Sequence, residues 1–139
     1  MIRLSLIIPT HNRARQLLAA LESVVRQDMP AGEWECVVVN NNSTDDTSTI
    51  ARSHGATVTH VKLRGKGNVI RRMFADVEAD IYVMVDGDAT YCADDLPAHI
   101  QLMLKNRLDM VLGVRTNEDD DSGQYRRDRK STRLNSSHT

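Results

Sequence analysis

Val37-Val38-Val39 is apolar at consecutive rather than alternate positions, and Leu4-Ser5-Leu6-Ile7-Ile8 is a short apolar run that ends at Pro9. Successive side chains of a strand point to opposite faces, so such runs bury fully only in a sheet covered on both sides. That is the environment of a parallel sheet with helices on each face. Three more strands are predicted at Thr57 to Leu63, Ile81 to Val85 and Asp109 to Val114. The segments between them carry helical periodicity. Leu17, Leu18, Leu21, Val24 and Val25 share one face of a first helix, and Pro30-Ala31-Gly32 breaks it. A short helix capped by Ser43 or Thr44 is expected to run to about His54, ended by Gly55. Val69, Ile70, Met73 and Val77 mark a third helix. Leu96, Ile100 and Met103 mark a fourth, with Asp94 as its expected cap. Five strands separated by four helices imply a doubly wound α/β sheet with right-handed crossovers.

The 139 residues suit one domain, and 40% hydrophobic content is enough for one core. Eighteen basic side chains face 19 acidic ones, so the charge excess that nucleic-acid or membrane-surface binding calls for is missing. The cluster Arg126, Arg127, Arg129 and Lys130 reads most simply as a solvated tail. Cys36 and Cys92 lack metal-ligand spacing and are expected as reduced thiols of a cytosolic protein. Leu4 to Pro9 is too short for a signal peptide, and no run approaches the roughly 20 apolar residues of a membrane span.

Ligands of open α/β sheets bind beyond the carboxyl ends of the strands. Four polar loops follow the first four strands: Pro9-Thr10-His11-Asn12, Asn40 to Asp45, Arg64-Gly65-Lys66-Gly67-Asn68, and Asp86-Gly87-Asp88. The last is the sharpest signal. Two carboxylates one residue apart end an apolar strand, and the glycine lets the chain turn closely around a bound group. Mg2+ or Mn2+ is commonly held by one or two carboxylates plus substrate phosphates and water, and it would make a diphosphate a better leaving group. Asp-Gly is also a common turn dipeptide, and it is the position at the end of a fully apolar strand, beside three other polar loops, that favours the metal reading. Gly65-Lys66-Gly67 opens a helix whose amides and lysine could meet phosphate. It lacks the third glycine of a dinucleotide fingerprint, since Ile70 stands there, and it is not a P-loop. His11 has the chemistry of a ligand or base, although loop histidines are more often surface or capping residues.

Taken in order and spacing, four segments resemble the family 2 glycosyltransferases. They are Leu6 to Asn12, Val37 to Thr47, Gly65 to Asn68, and Val85 to Tyr91. Gly65 to Tyr91 is most similar to the branch of polyprenyl-phosphate sugar synthases. The resemblance implies a GT-A fold, Rossmann-like and mostly parallel, that binds a nucleoside diphosphate sugar and inverts the anomeric centre by direct displacement. It implies that Pro9, Thr10, His11 and Asn12, with Asn40, Asn41 and Asn42, hold base and ribose. Lys66 and Gly87 would belong to the same nucleotide-sugar site. Asp86 would face ribose or metal, and Asp88 would bind the Mg2+ or Mn2+ that bridges the diphosphate. A polyprenyl phosphate or a glycan is the implied acceptor, and the cytoplasm, at the inner face of the membrane in a full-length protein, the implied location.

The sequence departs from the family at Asn40, where an acidic residue is usual, and at Arg13, where the close branch has glutamate. Residues 1–127 are expected to be the nucleotide-sugar-binding part of the domain. The catalytic base is expected in a later segment of the family that has no counterpart here. Lys130 to His138 is similar to translated sequencing-adapter read-through, so residues 128–139 are expected to be a non-native, disordered tail. In this fold a later strand sits between the fourth and fifth, so the 109–114 strand is expected to lose that neighbour and leave an unpaired edge. Two other readings remain at this point: a nucleotide-binding module without transfer activity, and a nucleotidyltransferase. The second would call for a glycine-rich basic loop after the first strand, where Pro9-Thr10-His11-Asn12-Arg13 stands.

Overall fold

The computed structural model describes residues 3–29, 33–89, 91–115 and 132–137. Four strands form one parallel sheet: β1 (Arg3–Thr10), β2 (Glu33–Asn40), β3 (Thr57–His60) and β4 (Ile81–Met84), in the order β3-β2-β1-β4. Leu4 lies opposite Trp34 on one side and Ile81 on the other, and Val37 opposite Thr57. Helices α1 (Ala14–Val25), α2 (Thr47–Ser53), α3 (Lys66–Asp76) and α4 (Leu96–Asn106) connect or follow these strands.

The consecutive apolar runs divide between two cores, as a sheet covered on both faces requires. Leu4, Leu6 and Ile8 of β1 and Val38 of β2 pack with Leu17, Leu21 and Val24 of α1 and Ile100 of α4. The intervening Ile7, Val37 and Val39 pack on the other face with Val69 and Met73 of α3. Ser5 interrupts the apolar run without cost because its hydroxyl donates to Glu35 Oε1 at 2.6 Å. Cys36 and Cys92 are free thiols. Burial, reinforced by the neighbouring Glu35 charge, pushes the Cys36 thiol up to about 12.

Several local expectations are corrected. Val25 is 58% exposed, and Ala20 takes the fourth buried place on α1 beside Leu17, Leu21 and Val24. Neither Ser43 nor Thr44 caps α2. Their groups are engaged with Asn12 and Asn40, and it is Asp45 Oδ1 that accepts from Thr47 N and Thr47 Oγ1 at the helix start. Asp94 does not cap α4 either: a 3-10 turn, Ala93–Asp95, precedes that helix, and Asp94 accepts instead from Gln27 Nε2 at 2.8 Å.

The largest difference concerns the fifth strand. β5 (Met110–Arg115) does not join the main sheet. It pairs antiparallel with β6 (Thr132–Ser137), inside the segment for which the sequence predicts a disordered tail. Ladder hydrogen bonds use backbone groups alone, so a strand with little apolar content can still satisfy an open edge. Between β4 and β5 lies an apolar groove of about 510 Å3, bordered by Tyr82, Met84, Met110 and Leu112.

Candidate functional site

Chain order and strand order part company at β1. The chain steps outward from β1 through β2 to β3, then returns to place β4 on the opposite side of β1. A crevice opens at the carboxyl ends of strands where such a reversal occurs. Here it is a cavity of about 410 Å3, lined by residues from all four loops.

Close packing brings the loop after β4 against the end of β1. A Cβ built on Gly87 would lie 3.1 Å from Ile8 Cγ2 and 3.3 Å from the Pro9 carbonyl oxygen and Thr10 Cβ. Glycine is therefore required for proximity rather than for turn conformation. Ala89, one residue past Asp88, adopts a left-handed conformation with φ of 58°, a strained backbone for alanine.

The β1 and β2 loops are laced together. Asn12 Oδ1 accepts from Thr44 N at 2.7 Å, Ser43 Oγ accepts from Asn12 N at 3.0 Å, and Asp45 Oδ2 accepts from Ala14 N at 3.3 Å. His11 Nδ1 donates to the Asn41 carbonyl at 2.7 Å, which leaves Nε2 as the acceptor of the neutral ring. Hydrogen bonds from Thr47 hydroxyl and amide, and from Ala14, hold the Asp45 carboxyl below the usual carboxylate range.

Among the residues singled out from the sequence, Pro9, Thr10, His11, Asn41, Lys66, Asp86, Gly87 and Asp88 line the cavity together. Asn12, Asn40 and Asn42 are not in its lining. Asn40 is 4% exposed, with its amide donated to Ser48 Oγ at 2.6 Å and its carbonyl oxygen accepting from Ser43 N at 2.7 Å. Asn42 donates to the Lys62 carbonyl at 3.0 Å and so pins the strand-end loop beyond β3. Arg13, Arg64 and Val69 also line the cavity, and only Arg13 and Arg64 carried a signal. In the cavity lining three cations, Arg13, Arg64 and Lys66, meet two carboxylates, Asp86 and Asp88.

Each carboxylate already has a cation. Lys66 Nζ lies 2.6 Å from Asp86 Oδ1, and Arg13 Nη1 lies 3.6 Å from Asp88 Oδ2. Thr10 Oγ1 is buried in the lining without a hydrogen-bond partner among the described residues. A buried hydroxyl in that state costs about 1–3 kcal/mol, which a ligand oxygen at the same place would relieve.

The Asp86–Asp88 pair suits a hard divalent cation as part of its shell. Both are oxygen donors, their side chains are 25% and 22% exposed, and they flank a cation-rich cavity. Among the described residues no group of three or more His, Cys, Asp or Glu could form a complete cage. Ligand oxygens and water would complete the shell, which is the usual arrangement for Mg2+ at phosphate sites.

The chain matches the family model "Glycosyl transferase family 2" over residues 5–139. It is 45% identical over 124 residues to protein RfbJ of Shigella flexneri, covering 89% of this chain and 93% of that protein. Its structure is similar to a mannosyltransferase from Pyrobaculum calidifontis solved with GDP-Man and Mn2+. The TM-score is 0.70 at 26% identity, over 86% of this chain and 37% of that one. It is similar too to glucosyl-3-phosphoglycerate synthase from Mycobacterium tuberculosis, solved with Mn2+, UDP and glucosyl-3-phosphoglycerate. There the TM-score is 0.63 at 26% identity, over 74% and 39% of the two chains. The chain thus spans most of the length of RfbJ and less than half of either solved neighbour.

Proposed function

The chain belongs to glycosyl transferase family 2, and from that premise we propose that its cavity holds a nucleoside diphosphate sugar whose sugar is passed to an acceptor oxygen. The observation that carries this reading is the meeting of Arg13, Arg64 and Lys66 with the Asp86-Gly87-Asp88 turn in one cavity at the topological switch point. Three cations offset the charge of a diphosphate, and the carboxylate pair would be repelled by it unless a metal intervened. The solved neighbours support the donor class, since one holds GDP-Man with Mn2+ and the other UDP with Mn2+.

In this reading residues 1–127 form the nucleotide-sugar-binding part of the transferase. Pro9, His11 and Asn41 border base and ribose, while Asn12, Asn40 and Asn42 hold the loops that present them. Arg64 and Lys66 bind the diphosphate, and the Thr10 hydroxyl donates to a ligand oxygen. Asp86 faces ribose or metal, and Asp88 is the principal metal ligand. A bound Mg2+ or Mn2+ supplies Lewis-acid neutralisation of the leaving diphosphate. The acceptor, a polyprenyl phosphate or a glycan hydroxyl, attacks the anomeric carbon from the face opposite the diphosphate. The new carbon–oxygen bond forms as the bond to the β-phosphate oxygen breaks, its electron pair leaves on the nucleoside diphosphate, and the configuration inverts. The proton of an acceptor hydroxyl passes to a general base. No helix of the described residues is long and apolar enough to cross a membrane. In this reading a lipid-phosphate acceptor is met at the cytoplasmic face of the bilayer.

Calorimetric titration of the full chain with UDP and GDP, with and without Mn2+, tests this reading. Mn2+-dependent binding is expected, and Asp88→Ala should abolish it while leaving the circular-dichroism melt unchanged. Unaltered binding by Asp88→Ala would remove that residue from the metal site. Failure of wild type to bind any nucleoside diphosphate would sink the reading as a whole.

A further inference from the structure

Arg13 immediately precedes α1 and lines the cavity together with Asp86, Gly87 and Asp88 of the loop after β4. Its Nη1 lies 3.6 Å from Asp88 Oδ2, a looser contact than the 2.6 Å between Lys66 and Asp86. The Arg13 side chain is 53% exposed and Asp88 only 22%, so the arginine is the freer member of the pair. Two cations cannot share one carboxylate without repelling each other. A guanidinium held against Asp88 therefore lowers the attraction of that carboxylate for a divalent metal.

Resting on the nucleotide-sugar reading above, we propose that Arg13 is an exchangeable counter-ion of Asp88 that couples metal binding to nucleotide binding. Without nucleotide, Arg13 neutralises Asp88 and holds its metal affinity down. An entering diphosphate offers several charged oxygens, which a planar guanidinium engages in pairs more favourably than one distant carboxylate oxygen. Arg13 moves to the phosphates, and Asp88 is released to the cation arriving with them. The buried hydroxyl of Thr10 and the cations Arg64 and Lys66 line the same cavity and draw the diphosphate to within reach. Because coupling is reciprocal, Arg13 strengthens the cooperation of metal and nucleotide by the same factor whichever binds first.

The test uses the full chain and reads binding, not turnover. Free Mn2+ is followed by electron paramagnetic resonance for wild type, Arg13→Gln, Arg13→Lys and Arg15→Gln. UDP and GDP binding in the presence of a chelator is then measured by calorimetry for the same four proteins. Arg13→Gln is expected to bind Mn2+ alone about two- to fivefold more tightly, the range for a partly exposed ion pair. The same variant should bind metal-free diphosphate more weakly by at least that factor. Arg13→Lys should stay near wild type in both assays. Arg15, exposed on α1 and outside the cavity lining, controls for general charge, and Arg15→Gln should move neither. Unchanged or weakened Mn2+ binding in Arg13→Gln, with wild type still binding nucleotide, overturns the role of Arg13 and leaves the functional reading standing. A wild type that binds neither UDP nor GDP under any metal condition overturns both.

Discussion

Lys66 Nζ and Asp86 Oδ1 lie 2.6 Å apart although they follow β3 and β4, the two outermost strands of the main sheet. The first residue of α3 thus meets a loop from the far side of β2 and β1. Asn41 and Asn42 donate to the carbonyls of Leu63 and Lys62 in the segment before that helix. Lys66 and Asp86 both line the cavity together with Pro9 and Thr10.

Removing Lys66 should therefore affect ligand affinity more than folding. The lysine is 69% exposed, so its pair with Asp86 contributes at most about 1 kcal/mol to stability. A charged contact to phosphate is worth about 1.5 kcal/mol or more, so Lys66→Ala should weaken nucleoside diphosphate binding roughly tenfold. Parallel calorimetry and thermal melts check this, and a large fall in melting temperature would assign Lys66 a structural role instead.

Gly87→Ala should be destabilising despite the small change. The new methyl would press on Ile8 Cγ2, the Pro9 carbonyl and Thr10 Cβ, of which the carbonyl is backbone and cannot rotate away. Overpacking of this kind costs about 1–3 kcal/mol. Urea unfolding should show a lower midpoint with an unchanged slope, and a wild-type midpoint would mean that the β4 loop yields easily.

Leu6 and Val25 look alike as apolar members of their runs, yet they should behave differently. Leu6 is fully buried between the sheet and α1, so Leu6→Ala should cost about 2–5 kcal/mol. Val25 is 58% exposed, and Val25→Ala should stay within about 0.5 kcal/mol. Chemical denaturation of the two variants side by side distinguishes them, and equal losses would mean that α1 is rotated relative to the sheet.

Asp45 predicts a pH dependence. Its folded-state pKa is lowered from 3.8, chiefly by the Thr47 hydroxyl, with further hydrogen bonds from the Thr47 and Ala14 amides. An acid held below its unfolded value contributes stability that is present above that value. The contribution is lost as pH falls through the folded pKa. The stability gap between wild type and Asp45→Asn should therefore be open at pH 6 and should close as pH drops below about 4. A gap that stays constant across that range would show that the carboxylate's charge is not what joins α1 to α2.

Much of this protein was legible in one dimension. Consecutive apolar residues in β2 announced a sheet covered on both faces, and Val37 and Val38 do enter opposite cores. The polar loops after β1, β2, β3 and β4 all reach one cavity, because parallel strands put their carboxyl ends on one edge. Periodicity could not tell Val25 from Val24, since a helix position one residue off the buried stripe carries the same kind of side chain. Nor did the polar Asn40 announce that both ends of its amide would be used inside the β2–α2 loop rather than at the cavity.

Local pattern reports which face of an element avoids water, and that alone determined the succession of strands and helices and the edge on which chemistry gathers. Strand order, the departure of β5 from the main sheet, and the pairing of Lys66 with Asp86 and Arg13 with Asp88 were decided only by the tertiary structure. The reason is physical: these partners are separated by 20 residues or more in the chain, and their meeting depends on how the crossovers wind around β1. No residue's own neighbours in sequence carry that information.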